Sequence, residues 1–470
     1  MLGRIIMEEN VAFTQHFTVG KLFKYTLPTI FAVLLASLYS IVDGIFVSNV
    51  GGTTAFAAVN QASPIFMIVA AIGFMFGTGG TALVAKILGE GDSEKAKGIF
   101  SYLTYVLIAI GVTFSLILWF TIEPLLGLLG VEPGSEMMMY CVEYSHIIIP
   151  AITLFMLQFY FQSFLATAKK PGLGLVFTVL AGITNTIGDF VLVGIVAKNS
   201  ADVSVNAIRG AAAATAGGLV LGGLVPLIYF LCKNKSLLRL GKPLAQGKAL
   251  LKAMGNGSSE FFTNISGSII NMVYNSLFLY MIGDMGVAAF GTVGYVNTIF
   301  VAIASGFVIG VAPIISYNYG AGNTDNLKNL HKKSLSLVVI FSIVSTIIIE
   351  CLSHPLASAF SHGDEMLMQI TVDGLTIFTL SFVFKGIPTY ASGLFTAFNN
   401  GKISGVISIV RTLVFNMATI IIVPVVFFYL FGSSYEAAFY GVWYSVVFSE
   451  LFATLMSFGF FKKYKKRYNY

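Results

Sequence analysis

Charged side chains are scarce in this chain. Only 10% of its 470 residues are Asp, Glu, Lys or Arg, whereas 56% are apolar. A soluble protein of this length could not cover so much apolar surface, so the composition excludes a water-soluble globular protein and indicates an integral membrane protein. The net charge of +6 does not indicate nucleic-acid binding, because the basic residues lie between apolar segments, where they set the membrane orientation.

Residues that carry metal, redox or catalytic chemistry are also few. The three cysteines, Cys141, Cys232 and Cys351, have no metal or redox spacing and are interpreted as small apolar side chains. The five histidines show no metal spacing, and His146, which lies within an apolar segment, is expected to pack. No nucleophile elbow and no H-E-x-x-H motif occurs. We therefore expect a protein that is not an enzyme and that needs no cofactor.

A phosphate-binding loop is missing as well. Gly241–Ala249, GKPLAQGKA, has five residues between its glycines and Ala where Ser or Thr should bind Mg²⁺. ATP is therefore not expected to drive this protein directly. We also expect no cleaved signal at the N-terminus, because the first apolar segment is too long for one and no small-residue cleavage site follows it.

Twelve apolar segments are long enough to cross a bilayer, and each is expected to be a helix because a helix satisfies its own backbone in lipid. The predicted fold is an all-α polytopic membrane protein. Of the 27 Lys and Arg residues, only Lys198 and Arg209 lie on the outer side if the N-terminus is cytoplasmic, and Lys385 and Arg411 lie within spans. This bias predicts that both termini face the cytoplasm.

The chain also repeats itself. GEGDSEKAK at Gly89–Lys97 matches GAGNTDNLK at Gly320–Lys328, and an upstream GFMFG matches GFVIG at the same offset of about 230 residues. We predict two six-helix lobes of one orientation, residues 1–232 and 252–470, joined by a basic cytoplasmic linker at 233–251. Two such lobes, related by a pseudo-twofold axis along the membrane normal, suit alternating access around a site at mid-membrane.

Two carboxylates lie deep in predicted spans beside a polar residue. Tyr39 precedes Asp43 by four residues and Asn185 precedes Asp189 by four, so each pair shares a helical face. An Asp at the centre of a span costs about 2.5–3.5 kcal/mol, so its default interpretation is functional. Two further acids at similar depth are Glu260 and Glu450.

These carboxylates have two chemical uses and one structural alternative. Burial and a second carboxylate nearby both disfavour the charged form, which can bring protonation towards physiological pH. The same oxygens could instead bind Na⁺. The structural alternative is that each Asp only hydrogen-bonds a neighbouring helix.

Two other features bear on a transport mechanism. Pro28 removes a helical hydrogen bond, so it is either a hinge in the first span or only the start of that helix. Four side chains on the seventh and eighth helices near Glu260 could form an apolar wall for flat cationic ligands: Met272, Tyr274, Phe278 and Tyr295.

The chain resembles a known family, the multidrug and toxic compound extrusion (MATE) transporters, and within it the bacterial MepA-like branch. The resemblance covers residues 15–460. It rests on LYSIVDGIFVSNVGG in the first span, on G-x-G-[DN] after spans two and eight, and on N-x-x-x-D in span five. GAAAAT at Gly210–Thr215 and GSSEFF around Glu260 also fit.

The resemblance implies a V-shaped fold and secondary antiport, in which entry of H⁺ or Na⁺ drives export of amphipathic, mostly cationic drugs and dyes. It implies a monomer in the bacterial cytoplasmic membrane. The coupling residues carry over as Tyr39, Asp43, Asn185, Asp189, Thr215 and Glu260, and a Na⁺ site would use Asp43, Asn185, Asp189 and Thr215.

Span ten departs from the family pattern. Other branches have a carboxylate there, whereas FVFKGIPTYASG contains Lys385 and no acid. This departure argues against a Na⁺ site in the C-terminal lobe and favours H⁺ coupling in the N-terminal lobe. In the expected mechanism, a proton on Asp43 or Asp189 rearranges their hydrogen bonds, bends the first helix and ejects the drug.

Three other functions fit the sequence less well. A lipid-linked glycan flippase can share the two-lobe plan, but a pyrophosphate head group needs several Lys or Arg in the cleft, and only Lys385 and Arg411 are candidates. An intramembrane enzyme lacks a catalytic constellation. A passive channel is disfavoured by the duplicated lobes.

Overall fold

The computed structural model describes residues 13, 16–361, 364–431 and 434–470. Within these ranges, eleven helices are long and apolar enough to cross a membrane, and a bent pair of helices supplies a twelfth span. The predicted all-α membrane fold is confirmed.

The spans, labelled α1 to α12, follow one another with short connections. The first six are α1 (Val19–Gly51), α2 (Thr54–Gly89), α3 (Ser93–Leu128), α4 (Glu136–Thr167), α5 (Pro171–Ala197) and α6 (Val203–Leu231). The other six are α7 (Gly247–Ile282), α8 (Met285–Gly320), α9 (Thr324–Ala359), α10, α11 (Gly401–Leu430) and α12 (Tyr435–Tyr468).

The tenth span is broken into α10a (Glu365–Thr379) and α10b (Phe382–Ala397), which meet at 47°. At the break, the amides of Leu380 and Ser381 donate to the carbonyls of Ile377 and Phe378, three residues back. These shorter bonds tighten the turn and end the α-helical ladder. The break places Lys385 in the first turn of α10b.

Four spans contain wide π-helical turns. These turns are Val47–Gly51 in α1, Asp189–Ala197 in α5, Val220–Leu224 in α6 and Val410–Phe415 in α11. A π turn changes which residues face inward, and such turns are frequent at functional sites. Asp189 begins one of them and Arg411 lies in another.

The two halves of the chain pack together through their first two spans. Helix α2 packs against α7 as well as α4, and α1 packs against α8 as well as α5. Gly79 of α2 and Gly257 of α7 lie where a Cβ atom would strike the backbone of the opposite helix, at Ala253 and Met75 respectively. Glycine at these two positions therefore permits direct backbone contact between the halves.

Pro28 lies inside α1 and is buried. Because α1 begins at Val19, the interpretation of Pro28 as the helix start was wrong. A proline in a helix interior removes one backbone hydrogen bond and permits a bend. Its role as a hinge stays a prediction.

Candidate functional site

A cavity of about 710 Å³ lies between the two halves. Its lining mixes aromatic and aliphatic side chains with hydroxyl, amide and acid groups. The polar lining residues include Ser37, Tyr39, Asp43, Asn60, Gln162, Asn185, Thr215, Glu260, Asn264, Asn297 and Thr389. Both halves therefore contribute polar groups to one chamber, which is the arrangement found in sites for small organic ligands.

The carboxylates of Asp43 and Asp189 face each other. Asp43 of α1 lines the cavity, Asp189 of α5 is fully buried, and their carboxyl groups interact with each other. No donor among the described residues reaches either oxygen of Asp189 or Oδ1 of Asp43. Two carboxylates can hydrogen-bond each other only if one is protonated, since an ionised carboxylate is an acceptor only.

Two hydrogen bonds frame this pair. The Nε2 of Gln158 donates to the hydroxyl of Tyr39 at 3.1 Å, and the Nδ2 of Asn185 donates to Oγ1 of Thr215 at 3.3 Å. Both bonds use the amide nitrogens, and the amide oxygens of Gln158 and Asn185 are buried without a donor among the described residues. The structure thus brings the predicted N-terminal residues to one wall, where buried oxygens suit a proton or a hard cation.

The described part of the chain contains no group of three or more His, Cys, Asp or Glu residues that could hold a metal ion. A Na⁺ ion carried as a coupling ion would instead need amide and hydroxyl oxygens beside the two carboxylates. Asn185 and Thr215 are the neighbours with those atoms.

Glu260 lies on the other half of the chain and lines the same cavity. It projects from α7, one helical turn before Asn264, which also lines the chamber. The guanidinium of Arg411 is the charge that acts on Glu260. The cavity is therefore acidic on both sides.

The four residues that were predicted to form an apolar wall do not lie together. Tyr295 lines the cavity. Tyr274 and Phe278 are instead buried in an aromatic core with Trp443, where the Tyr274 hydroxyl bonds the Ser445 hydroxyl. Met272 is 68% exposed and lies in a separate outer groove. The expectation that Met272, Tyr274 and Phe278 line the central cavity was wrong, because these three residues lie on other faces of α7.

Sequence reasoning missed Gln158 and Tyr144. Gln158 bonds Tyr39, and Tyr144 lies near both carboxylates and lines the cavity. Gln158 could have been found from the sequence, because Gln162 follows it by four residues in an apolar span. Tyr39 and Asp43 are separated by the same four residues. Nothing comparable singles out Tyr144 among 21 tyrosines.

A second cluster of charges is buried in the C-terminal half. Arg411 binds Glu450 through two hydrogen bonds of 2.9 and 3.1 Å, and the ammonium of Lys385 lies 3.9 Å from the same carboxylate. All three side chains are at least nine-tenths buried. None of them is in the lining of the cavity.

The fold and the chamber define a class, a helical membrane transporter with one polar cavity between two packed halves. The family model for MatE matches residues 28–191 and 260–422, one stretch in each half. The chain belongs to the MatE family. Members of this family are transporters, which confirms that the chain is not an enzyme.

The chain is similar to curated bacterial proteins named multidrug export protein MepA. It is 24% identical to the one from Staphylococcus saprophyticus over 404 residues, covering 86% of this chain and 85% of the relative. It is 24% identical to the one from Staphylococcus haemolyticus over 417 residues, covering 88% of each. The bacterial relatives and the twelve spans support a location in a bacterial plasma membrane.

Solved structures share the fold. An outward-facing multidrug resistance MATE family transporter of the MOP superfamily superposes with a TM-score of 0.86 at 18% identity, covering 96% of this chain and 97% of that one. A MOP superfamily transporter from Pyrococcus furiosus gives 0.85 at 19% identity, covering 97% and 98%. The MATE fold is therefore established for this chain.

Proposed function

We propose that this protein is a secondary antiporter that exports amphipathic, mostly cationic drugs and dyes in exchange for protons. The single observation that carries the proposal is the facing pair Asp43 and Asp189 at the wall of the cavity that both halves line. A proton shared between two carboxylates is lost when a cation approaches them, because the cation favours the charged form. The two ligands then compete for one site, which is the requirement for antiport.

We favour protons over Na⁺ as the coupling ion because of the residues that span ten contains. The second part of span ten, α10b, contains Lys385 and no acid, so it supplies no second carboxylate beside Glu260 with which to hold a hard cation. Na⁺ at Asp43, Asn185, Asp189 and Thr215 is the alternative coupling ion. No cofactor is required in either scheme.

The proposed cycle uses the two halves, residues 1–232 and 252–470, as lobes joined by the linker 233–251. Protonation of Asp43 or Asp189 changes the hydrogen bonds around Tyr39 and Asn185. Helix α1 then bends at Pro28, narrows the chamber on its N-terminal side and expels the substrate. Glu260 and Tyr295 supply acidic and aromatic surface for an amphipathic cation on the opposite side.

The chamber favours this function over a lipid-linked glycan flippase. A pyrophosphate head group requires several Lys or Arg in the cleft. The lining contains acids and amides and no Lys or Arg among the described residues. We further propose a monomer with both termini in the cytoplasm, in accord with the distribution of Lys and Arg.

Reconstituted transport tests the proposal. Proteoliposomes that contain the purified protein are loaded with ethidium. A pH gradient and a Na⁺ gradient are then imposed in separate experiments. We expect the pH gradient to drive dye movement and the Na⁺ gradient to drive none. Asp43→Asn and Asp189→Asn should each lower the pH-driven rate at least tenfold, since an amide cannot release a proton.

Glu350→Gln is the matched control, because Glu350 is an acid within α9 that lies outside the cavity lining and accepts a hydrogen bond from Thr379. This variant should keep the wild-type rate. Wild-type rates for both Asn variants would refute the proposal. Driving by Na⁺ alone would refute the choice of proton.

A further inference from the structure

Lys385 is held in one position beside the cavity. Its ammonium donates to Oδ1 of Asn297 at 2.7 Å and lies 3.9 Å from Glu450. It also lies over the rings of Phe378 and Phe382, 5.2 and 5.9 Å from their centroids. With these four contacts on a buried side chain, the ammonium has little freedom to move.

Arg411 already balances the charge of Glu450, so Lys385 is not needed for that purpose. Its guanidinium is neutralised by two hydrogen bonds to Glu450, and a third reaches Oγ1 of Thr389 at 2.7 Å. Lys385 is therefore an additional positive charge whose shortest polar contact is Asn297. A cation buried at this depth without a function of its own would be costly.

The contact with Lys385 fixes which end of the Asn297 amide faces the ammonium group. An ammonium group can only donate, so the atom of Asn297 that meets it must be the oxygen. The amide nitrogen consequently points away from Lys385, and Asn297 lines the cavity whereas Lys385 does not. The hydrogen bond from Lys385 is the only one that the described residues give to this side chain.

We infer that Asn297, positioned by Lys385, is a specificity-determining residue that donates a hydrogen bond to an acceptor oxygen on the substrate. This inference rests on the proposed export function and adds a substrate class: amphipathic cations that also carry a carbonyl or carboxylate oxygen. The acidic groups Asp43 and Glu260 attract the cationic part. The polarised amide of Asn297 is the donor for the acceptor oxygen.

Two lipophilic cations that differ by one acceptor test the inference. Tetraphenylphosphonium has no hydrogen-bonding group, and its 4-acetyl derivative adds one carbonyl oxygen. Each is titrated as a competitor of ethidium export by the full-length protein in proteoliposomes. We expect the acetyl derivative to compete better with the wild-type protein by about threefold to tenfold, the effect of one uncharged hydrogen bond.

Asn297→Leu should bring the ratio of the two inhibition constants to about one. Lys385→Met should lower the ratio as well, because the freed amide can rotate, and Lys385→Arg should keep it. A merely structural role of Lys385 would change both constants equally. The ratio therefore separates a positioning role from a loss of folded protein.

An equal response of the wild-type protein to both compounds would overturn the inference, and so would an undiminished ratio in Asn297→Leu. If Asn297→Leu exports no dye, equal ratios for Lys385→Met and Lys385→Arg would overturn it. Absence of ethidium export by the wild-type protein would instead refute the proposed function. The two failures are thus distinguishable.

Discussion

Asp189 is fully buried, yet the protein supplies no hydrogen-bond donor to either of its carboxylate oxygens within the described residues. A permanently ionised carboxylate in that position would cost several kcal/mol without compensation. The neighbouring carboxylate of Asp43 makes the ionised state still less favourable. In our account the pair holds an exchangeable cation, and a proton is the smallest one that fits between two acceptors.

Glu450 illustrates the opposite arrangement, in which the charges are compensated within the protein. Its carboxylate accepts two hydrogen bonds from Arg411 and lies near Lys385. Glu450→Leu would leave two buried cations without a counter-charge. We expect the free energy of unfolding to fall by about 3–5 kcal/mol, measured as a lower midpoint of thermal unfolding in detergent.

Glu143→Gln is the control for this change. Glu143 also binds an arginine through two hydrogen bonds, to Arg209, but that pair is exposed to solvent. An exposed pair contributes little because water screens it. Equal midpoints for the Glu450→Leu variant and the wild-type protein would contradict the importance assigned to burial.

At the scale of elements, helices α2 and α7 make a direct backbone contact between the halves. A Cβ at Gly257 would strike the carbonyl of Met75, so Gly257→Ala should push the two helices apart. Gly255, two residues away on α7, has open space where its Cβ would be. We expect Gly257→Ala to lower the ethidium export rate by about tenfold and Gly255→Ala to leave it near the wild-type value.

Export rates for both variants in proteoliposomes, at equal protein content, check this prediction. A helix-propensity effect would be similar at the two positions, since both replace Gly by Ala in one helix. Only the close contact distinguishes them. Equal rates would show that the contact between α2 and α7 is not required for transport.

Sequence patterns predicted the elements better than the faces they present. Hydropathy predicted twelve spans, and the helical spacing of four placed Tyr39 with Asp43, which both line the cavity. That spacing fails where a helix departs from the regular period. The π turn that begins at Asp189 and the break before Lys385 are not visible as a change in composition.

Long-range partners were beyond sequence reasoning for a physical reason. The bond between Gln158 and Tyr39 joins α4 to α1, and nothing local in either helix specifies it. The error at Tyr274 and Phe278 has the same origin. An aromatic side chain gains as much from packing on Trp443 as from lining a chamber, so its residue type does not determine its direction.

At the scale of the whole molecule, the two halves share a plan but differ in chemistry. One half faces the cavity with Asp43, whose carboxyl group interacts with the buried Asp189, and the other faces it with Glu260 and with Asn297 backed by Lys385. Exchange of ions belongs to the first half in our account, and selection among substrates belongs partly to the second. The shared chamber is what joins the two functions.

The central claim is that substrate and proton compete at Asp43 and Asp189. Its most direct measurement is the release of protons when tetraphenylphosphonium is added to the purified protein in weakly buffered detergent solution, followed with a pH indicator. We predict release from the wild-type protein, less from each Asn variant, and none from the double variant Asp43→Asn with Asp189→Asn. Binding without proton release by the wild-type protein, or equal release by the double variant, would contradict the account.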